Sequence, residues 1–211
     1  AATDPLQSRL QRLADLFRGL SSDPDPVRSV TRYAVAMREL YGEQGIISIS
    51  MRGVPEGRYR VMRILHQAGV SYPGITDMLF AGPDAPVQSG GFFGPVVASR
   101  KPAVFRNLVI DDDPVFGAQL APYRLFAFLP IFNDGEVTNY TVFLHTDPDG
   151  FDDVAIEQDF LQANLMGGVT NSKRLLQELR QATAWIHREV DEIAAIMRGL
   201  LPSDMPETPG C

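Results

Sequence analysis

Residues 124–145 read RLFAFLPIFNDGEVTNYTVFLH, and this stretch decides the class of fold. Two runs rich in aromatic and β-branched residues, 124–132 and 137–145, flank Asn133-Asp134-Gly135, whose side chains tolerate the positive φ that a tight hairpin turn demands. The stretch predicts two antiparallel strands. Pro130 has no N–H to give to a ladder, so it predicts a bulge or a strand edge at that point. Upstream, the β-type runs 46–51 and 58–65 surround Gly53-Val54-Pro55-Glu56-Gly57 and predict a second hairpin. Between the two hairpins, 92–99 reads as a short helix and 103–107 as a short strand. Residues 67–91 hold Ser71-Tyr72-Pro73-Gly74 and Ala81-Gly82-Pro83-Asp84 and little periodicity, and read as a long loop of the kind that covers a site or moves.

Helical periods bracket the strands. Asp4-Pro5 suits a helix start, and Leu6, Leu10, Leu13, Phe17 and Leu20 then step by 4, 3, 4, 3, a narrow seam fitted to another helix. Ser21-Ser22-Asp23-Pro24 breaks it. Asp25-Pro26 opens a second helix with Val27, Val30, Ala34, Met37 and Tyr41 on one face, the pattern of a helix lying on a core. After Asp147-Pro148-Asp149-Gly150 the chain is expected to be helical from about 153 to 201, on the order of 70 Å at 1.5 Å per residue. That exceeds the diameter of a domain this size, so the far half must project. There Leu176, Leu179, Thr183, Ile186, Val190, Ile193, Met197 and Leu200 step by 3, 4, 3, 4, 3, 4, 3. Thr183 and Val190 share one set of heptad positions and Leu179, Ile186, Ile193 and Leu200 the other, which leans toward a parallel two-stranded coil. The opposite face carries Gln177, Gln181, Arg188 and Asp191, which argues against a buried core helix. Pro202, Pro206 and Pro209 make a short, stiff linker, and the chain ends directly after it, as a piece cut at a domain boundary would.

Composition narrows the function. The 211 residues are 45% hydrophobic and 21% charged, with 19 Lys plus Arg against 26 Asp plus Glu, a formal charge of −7. Affinity for phosphate backbones rests on Lys and Arg, so this acidic chain without a basic cluster is not expected to bind nucleic acid. No run of 18 apolar residues and no signal pattern is present, so no membrane association is expected and the cytoplasm is the expected compartment. Cys211, the single cysteine, excludes an internal disulfide and a cysteine-based zinc site.

The order helix, helix, hairpin, long crossover, strand pair and long terminal helix, over about residues 24 to 175, resembles a GAF domain, a sensory fold related to PAS. The local matches are Phe93-Gly94-Pro95-Val96-Val97 before Arg100-Lys101-Pro102-Ala103-Val104, Leu129-Pro130-Ile131 before Asp134-Gly135-Glu136-Val137, and Phe151-Asp152-Asp153 before the last helix. The resemblance implies an α/β (α+β) fold: an antiparallel sheet with flanking helices and a long C-terminal coiled-coil helix. Two departures stand out. Asn139-Tyr140 replaces a glycine common in that strand and is expected to alter the pocket, and Gly167-Gly168 replaces small alanines and is expected to kink the last helix. Farther on, 189–197 followed by Arg198-Gly199-Leu200-Leu201-Pro202, Met205-Pro206 and Pro209-Gly210 resembles the helix and linker that precede the phosphatase domain of bacterial GAF-linked serine/threonine phosphatases of the metal-dependent 2C kind. The implied organisation is an N-terminal dimerisation helix over 1–22, a GAF domain over 23–175, a coiled-coil signalling helix over 176–201 and a linker over 202–211 to an effector domain in cis. The chain itself is then expected to be no enzyme.

Candidate sites follow from this frame. A ligand cavity is expected under the 67–91 loop, lined by Phe92, Phe93, Tyr123, Phe126, Phe128 and Tyr140, with Arg106 or Arg124 to pair an anionic ligand; the alternative is that the aromatics fill the space as core. The coil and dimer residues are Leu10, Leu13, Phe17, Leu176, Leu179, Ile186, Val190, Ile193, Met197 and Leu200. No cofactor and no metal is expected: Asp111-Asp112-Asp113 reads as a solvated turn before Pro114, and His66 and His145 as surface or strand-edge residues. His187 lacks the acid and proline that follow the phosphoacceptor of kinases, and reads as a solvent-facing coil position. Two other functions stay open here: a ligandless structural dimerisation domain, and the sensor of a histidine kinase or cyclase.

Overall fold

Helix α1 (Pro5–Ser22) and helix α2 (Pro26–Tyr41) lead into strands β1 (Gly45–Ser50), β2 (Arg58–Leu65), β3 (Met78–Phe80) and β4 (Val87–Ser89). Helix α3 (Phe93–Ser99), β5 (Ala103–Phe105), a single 3-10 turn (Ala118–Leu120), β6 (Leu125–Asn133), β7 (Glu136–His145) and helix α4 (Asp153–Leu200) follow. This is a computed structural model, and it describes residues 5–41, 44–70, 78–81 and 84–200. The proline linker 202–211, Ser71-Tyr72-Pro73-Gly74 and the side chains of Leu6, Val27, Tyr41 and Leu200 lie outside what is described.

The strands form one antiparallel sheet in the order β3-β2-β1-β7-β6-β5, with β4 pairing the far end of β2. Both predicted hairpins are present. The β6–β7 turn is closed by Asp134 at φ 53° and Gly135 at φ 81°, the two positive-φ positions of a two-residue hairpin turn. Pro130 lies beyond the reach of β5, which pairs only Phe126 to Phe128, and the register shifts just after it, between Ile131 and Phe132. The exposed edge there is covered by α4, where Asn164 accepts from the Phe132 N–H and donates to the Pro130 carbonyl. The 67–91 stretch differs from expectation, because it carries β3 and β4. Three-residue strands are too short to show a period of two, so pattern reading passes over them.

Alternation along β6 divides the core. Leu125, Ala127 and Leu129 face the layer of α2 and α4, where they meet Ala34, Phe143, Phe151 and Ile156. Phe126 and Phe128 face the other side, under α3 and the 107–123 segment. Helix α1 forms an outer layer, with Leu16, Leu20 and Met37 buried together and Leu13 and Met166 against them. Asp25 caps α2 and Asp152 caps α4, each accepting from a backbone N–H three residues on.

Helix α4 has 48 residues and continues through Gly167-Gly168. Gly167 has a packing role: a methyl group there would run into Ile131 Cγ2, so the missing side chain lets the helix lie close on β6. Lys173 then ties the N-terminal region to this helix, its ammonium donating to the Leu20 carbonyl, the Asp23 carbonyl at 2.6 Å and the buried Ser29 hydroxyl at 2.9 Å. A cation at the last carbonyls of α1 also complements that helix's dipole. From Leu175 to Met197 every described side chain except Ala194 is exposed, so the distal half projects as a stalk.

Candidate functional site

The face of the sheet opposite α4 gathers the aromatic residues. Strand β6 presents Phe126 and Phe128, β7 presents Tyr140, β5 presents Phe105, α3 starts with Phe93, Phe92 directly precedes α3, and Tyr123 lies two residues before β6. Phe93, Tyr123, Phe126, Phe128 and Tyr140 have no solvent exposure at all. Phe92, half-buried, sets its ring against those of Phe105, Phe126 and Phe128 at 5.1, 5.3 and 5.6 Å between centroids, all near perpendicular. Phe93 lies 4.7 Å from Phe128 and 4.5 Å from Phe116. Edge-to-face packing at these separations leaves the rings filling one another's space. The structure thus brings all six predicted aromatics together, and adds Phe105 and Phe116, as a packed cluster.

Polar groups around the cluster are satisfied by the backbone. The Tyr140 hydroxyl donates to the Lys101 carbonyl at 3.2 Å, and burial pushes its pKa up to about 12 against the opposing influence of Ser99 and Arg100. Asn139, its neighbour, accepts from Arg52 Nε. The Tyr59 hydroxyl donates to the Gly90 carbonyl, and burial, helped by the nearby Asp113 carboxylate, raises its pKa strongly. Asp113 is buried where a solvated turn was expected. Its carboxylate accepts from the N–H groups of Phe92 at 2.7 Å, Val115 at 2.8 Å and Phe116 at 3.0 Å, pinning the start of α3 to the 113–117 loop, while Asp111 and Asp112 stay exposed. Gly91 at φ 62° leaves room for that carboxylate. Among the described residues no three His, Cys, Asp or Glu side chains cluster as a metal site.

Arg106 and Arg124 are each engaged by protein groups, Arg106 across the chain and Arg124 locally. Arg106 donates to the carbonyls of Pro148 and Phe151, both at 2.9 Å, and pairs with Asp153 at 3.1 Å, closing the connection into α4. Arg124 donates to the Ala121 and Tyr123 carbonyls. A shallow open groove is lined by Val104, Arg106, Asp153, Ile156 and Glu157, on the edge of the sheet rather than over the aromatics. His66 and His145, expected as surface or strand-edge residues, do sit at strand ends but are buried: His66 Nδ1 lies 2.9 Å from the Tyr123 hydroxyl, and His145 packs on the Phe151 ring with Gly150 against its own ring. Gln67 connects them, its N–H donating to Tyr123 and its side-chain amide reaching Thr146 N–H and His145. These positions sit at strand ends, where sequence alone does not reveal that the following loop folds back over them.

The coil residues form a second candidate surface. Leu176, Leu179, Ile186, Val190, Ile193 and Met197 are each 53–62% exposed along the stalk, and His187 is exposed beside them. On α1, Leu10 and Phe17 are half exposed while Leu13 turns inward toward Leu16 and Leu20, so part of that seam is used within the chain. Leu16, one position off the heptad of that seam, is buried with them. No helix among the described residues is long and apolar enough to cross a membrane.

No protein-family model and no curated protein matches the sequence. Solved structures do resemble the chain. The GAF domain of a phosphoenolpyruvate-protein phosphotransferase from Coxiella burnetii aligns at TM-score 0.51 with 16% identity, over 83% of this chain and 99% of that one. The GAF domain of the Acinetobacter phosphoenolpyruvate-protein phosphotransferase gives TM-score 0.51 and 14% identity, over 82% and 97%. The red-light-absorbing state of a red/green cyanobacteriochrome gives TM-score 0.51 and 12% identity, over 72% and 97%. With the sheet order and flanking helices described above, these likenesses show that the chain has the fold of a GAF domain.

Proposed function

We propose that this chain is a regulatory sensor module, without catalysis of its own, that dimerises through its terminal helices and passes a signal along α4 to a serine/threonine phosphatase domain joined after residue 211. The observation that supports it is the exposed heptad seam of the stalk, apolar surface that costs about 25 cal/mol per Å² when left in water. The division into a dimerisation helix, a GAF body over 23–175, a signalling coil and a linker belongs to the same proposal. The signal enters at the aromatic face, where Phe92 and Phe105 are half-buried rings. It biases two arrangements of the paired helices, since a ligand shifts only states that it binds unequally. The phosphatase assignment rests on the likeness of 189–210 to the linkers of such enzymes.

Light scattering tests the assembly: a dimer is expected, and a mass that stays at 23.3 kDa contradicts it. Ile186→Asp with Ile193→Asp is expected to give monomers whose sheet is retained. The coding sequence after Cys211 is expected to carry metal-binding aspartates, whereas a kinase or cyclase signature there would replace the phosphatase. The chain is expected to hydrolyse no p-nitrophenyl phosphate with Mn²⁺. A second reading, a structural dimerisation domain without ligand, is favoured by the close packing of the rings. A small-molecule thermal-shift screen separates the two, because a filled core gives no shift.

A further inference from the structure

Strands β2 and β7 are separated in the sheet by β1, and side chains join their ends. Gln67, just past the end of β2, passes over the start of β1 to reach Thr146 and His145 at the end of β7. Gly45 leaves room for this crossing, because a methyl group there would stand 3.1 Å from the Tyr123 hydroxyl and 3.3 Å from the Gln67 nitrogen. Gly150 seats the His145 ring in the same way, since a methyl group on it would collide with Nδ1. His145 is thereby buried, with the Phe151 ring packed edge-on against its own.

Donors and acceptors in this contact allow one arrangement of protons. The Thr146 N–H can only donate and lies 2.9 Å from Gln67 Oε1, so the amide oxygen is turned to it and the amide nitrogen to His145. Gln67 Nε2 and His145 Nε2 are 3.4 Å apart. An amide nitrogen does not accept, so the imidazole Nε2 is bare and the ring proton sits on Nδ1, with the Asp147 carbonyl 3.1 Å away and the Asp147 nitrogen 3.0 Å away. A neutral ring suits both the amide and that carbonyl. A second proton, on Nε2, would set N–H against N–H, and turning the amide over to meet it would set the amide N–H against that of Thr146. The neighbouring charges are engaged elsewhere. The exposed Asp147 carboxylate accepts from the Asp149 N–H, itself exposed, Asp152 caps α4, and Asp153 pairs with Arg106, which also holds the Pro148 and Phe151 carbonyls. Arg124 gives its backbone N–H to the His145 carbonyl and its guanidinium to the Ala121 and Tyr123 carbonyls, and His66 meets the Tyr123 hydroxyl. Among the described residues no carboxylate pairs with the His145 ring to compensate a charge there.

We propose that Gln67 and His145 form a proton-operated latch: the neutral imidazole holds the start of the 67–91 segment to the turn that leads into α4, and the protonated imidazole releases it. Imidazole is the side-chain type that changes charge between about pH 5 and 8, and its protonation is a known way to bias two arrangements of a fold. The latch lies apart from the stalk seam, so it stands or falls independently of the dimer and of the phosphatase.

Nuclear magnetic resonance of the whole chain tests this, through the ring nitrogens of the histidines and the hydrogen exchange of single amides. At about pH 8 His145 is expected to carry its proton on Nδ1, and a proton on Nε2 overturns the assignment. Protection of the Thr146 N–H, corrected for the pH dependence of intrinsic exchange, is expected to fall at least about tenfold from about pH 8 to about pH 5, with the far-ultraviolet circular dichroism unchanged. Gln67→Glu places a carboxylate opposite Nε2, which accepts from the protonated ring, and is expected to reverse the trend, protecting Thr146 more at about pH 6 than at about pH 8. His145→Gln removes the titrating ring and is expected to flatten the profile. Protection at Thr146 that stays level in the parent chain overturns the latch. A fall that persists undiminished in His145→Gln overturns it as well, by assigning the response to another group, His66 first.

Discussion

Phe128 and Ile186 are both large, apolar and placed on regular elements, yet Phe128 has no exposure and Ile186 is 53% exposed. The first belongs to a sheet face whose partners, α3 and the 107–123 segment, come from the same chain. The second belongs to a helix that has outrun its own sheet. The contrast teaches that the same hydrophobic driving force closes one region completely within a single chain and leaves the other open along α4, the surface that the proposed dimer would cover. It also predicts how each region fails. Phe128→Ala is expected to lower unfolding stability by about 3–5 kcal/mol, since the surrounding rings cannot collapse into the vacated space without leaving their edge-to-face geometry. Leu179→Ala, in the stalk, is expected to leave the thermal unfolding of a monomeric variant within about 0.5 kcal/mol while weakening assembly. Denaturant unfolding of both in the Ile186→Asp, Ile193→Asp background separates them; a comparable loss at Leu179 would mean that the stalk packs within its own chain.

How far the sequence can be read follows the same division. The β6–β7 hairpin and the stalk announce themselves, because a two-residue period around Asp134-Gly135 and a heptad period over Leu176 to Met197 are repeated long enough to outweigh local exceptions. Residues fixed by distant partners do not announce themselves. Asp113 sits in an acidic run that reads as solvated, and only the fold shows three N–H groups converging on it. His66, Gln67 and His145 are separated by up to 79 residues in the chain but joined at the ends of two strands. Lys173 looks like any exposed helical lysine until the end of α1 is placed beneath it. The aromatics of the candidate site were identifiable as a group from β6 and the 92–93 pair, whereas the use of Arg106 to hold the 148–153 turn depends on contacts across the chain.

Two adjacent glycines on α4 sharpen the comparison at smaller scale. Gly167 faces β6 and Gly168 faces open space. Gly167→Ala is therefore expected to force the helix off Ile131 at a cost of about 1–3 kcal/mol, while Gly168→Ala, an exposed interior position, gains up to about 1 kcal/mol from helix propensity. Thermal melts of the two single variants should move in opposite directions. Equal stabilisation at both sites would show that α4 does not lie as close to the sheet as its contact with Ile131 requires.

The smallest effect expected is one of pH, and it belongs to the packed half of α4. Asp159 lies one turn before Gln162, which accepts from the Tyr33 hydroxyl of α2, and burial pushes its carboxyl pKa up to about 6. A folded-state value above that of the unfolded chain means that folding favours the protonated acid. Its contribution is then fully present below about pH 4, the unfolded carboxylate range, and is lost as pH rises through about 6. After allowance for partial exposure, the change across that window is on the order of 1 kcal/mol. Asp159→Asn keeps the shape and removes the ionisation. Its melting temperature should therefore exceed that of the parent at pH 7 to 8 and converge with it near pH 4, whereas a difference of constant size from pH 4 to 8 would assign the effect to a lost or gained hydrogen bond instead of to the buried charge.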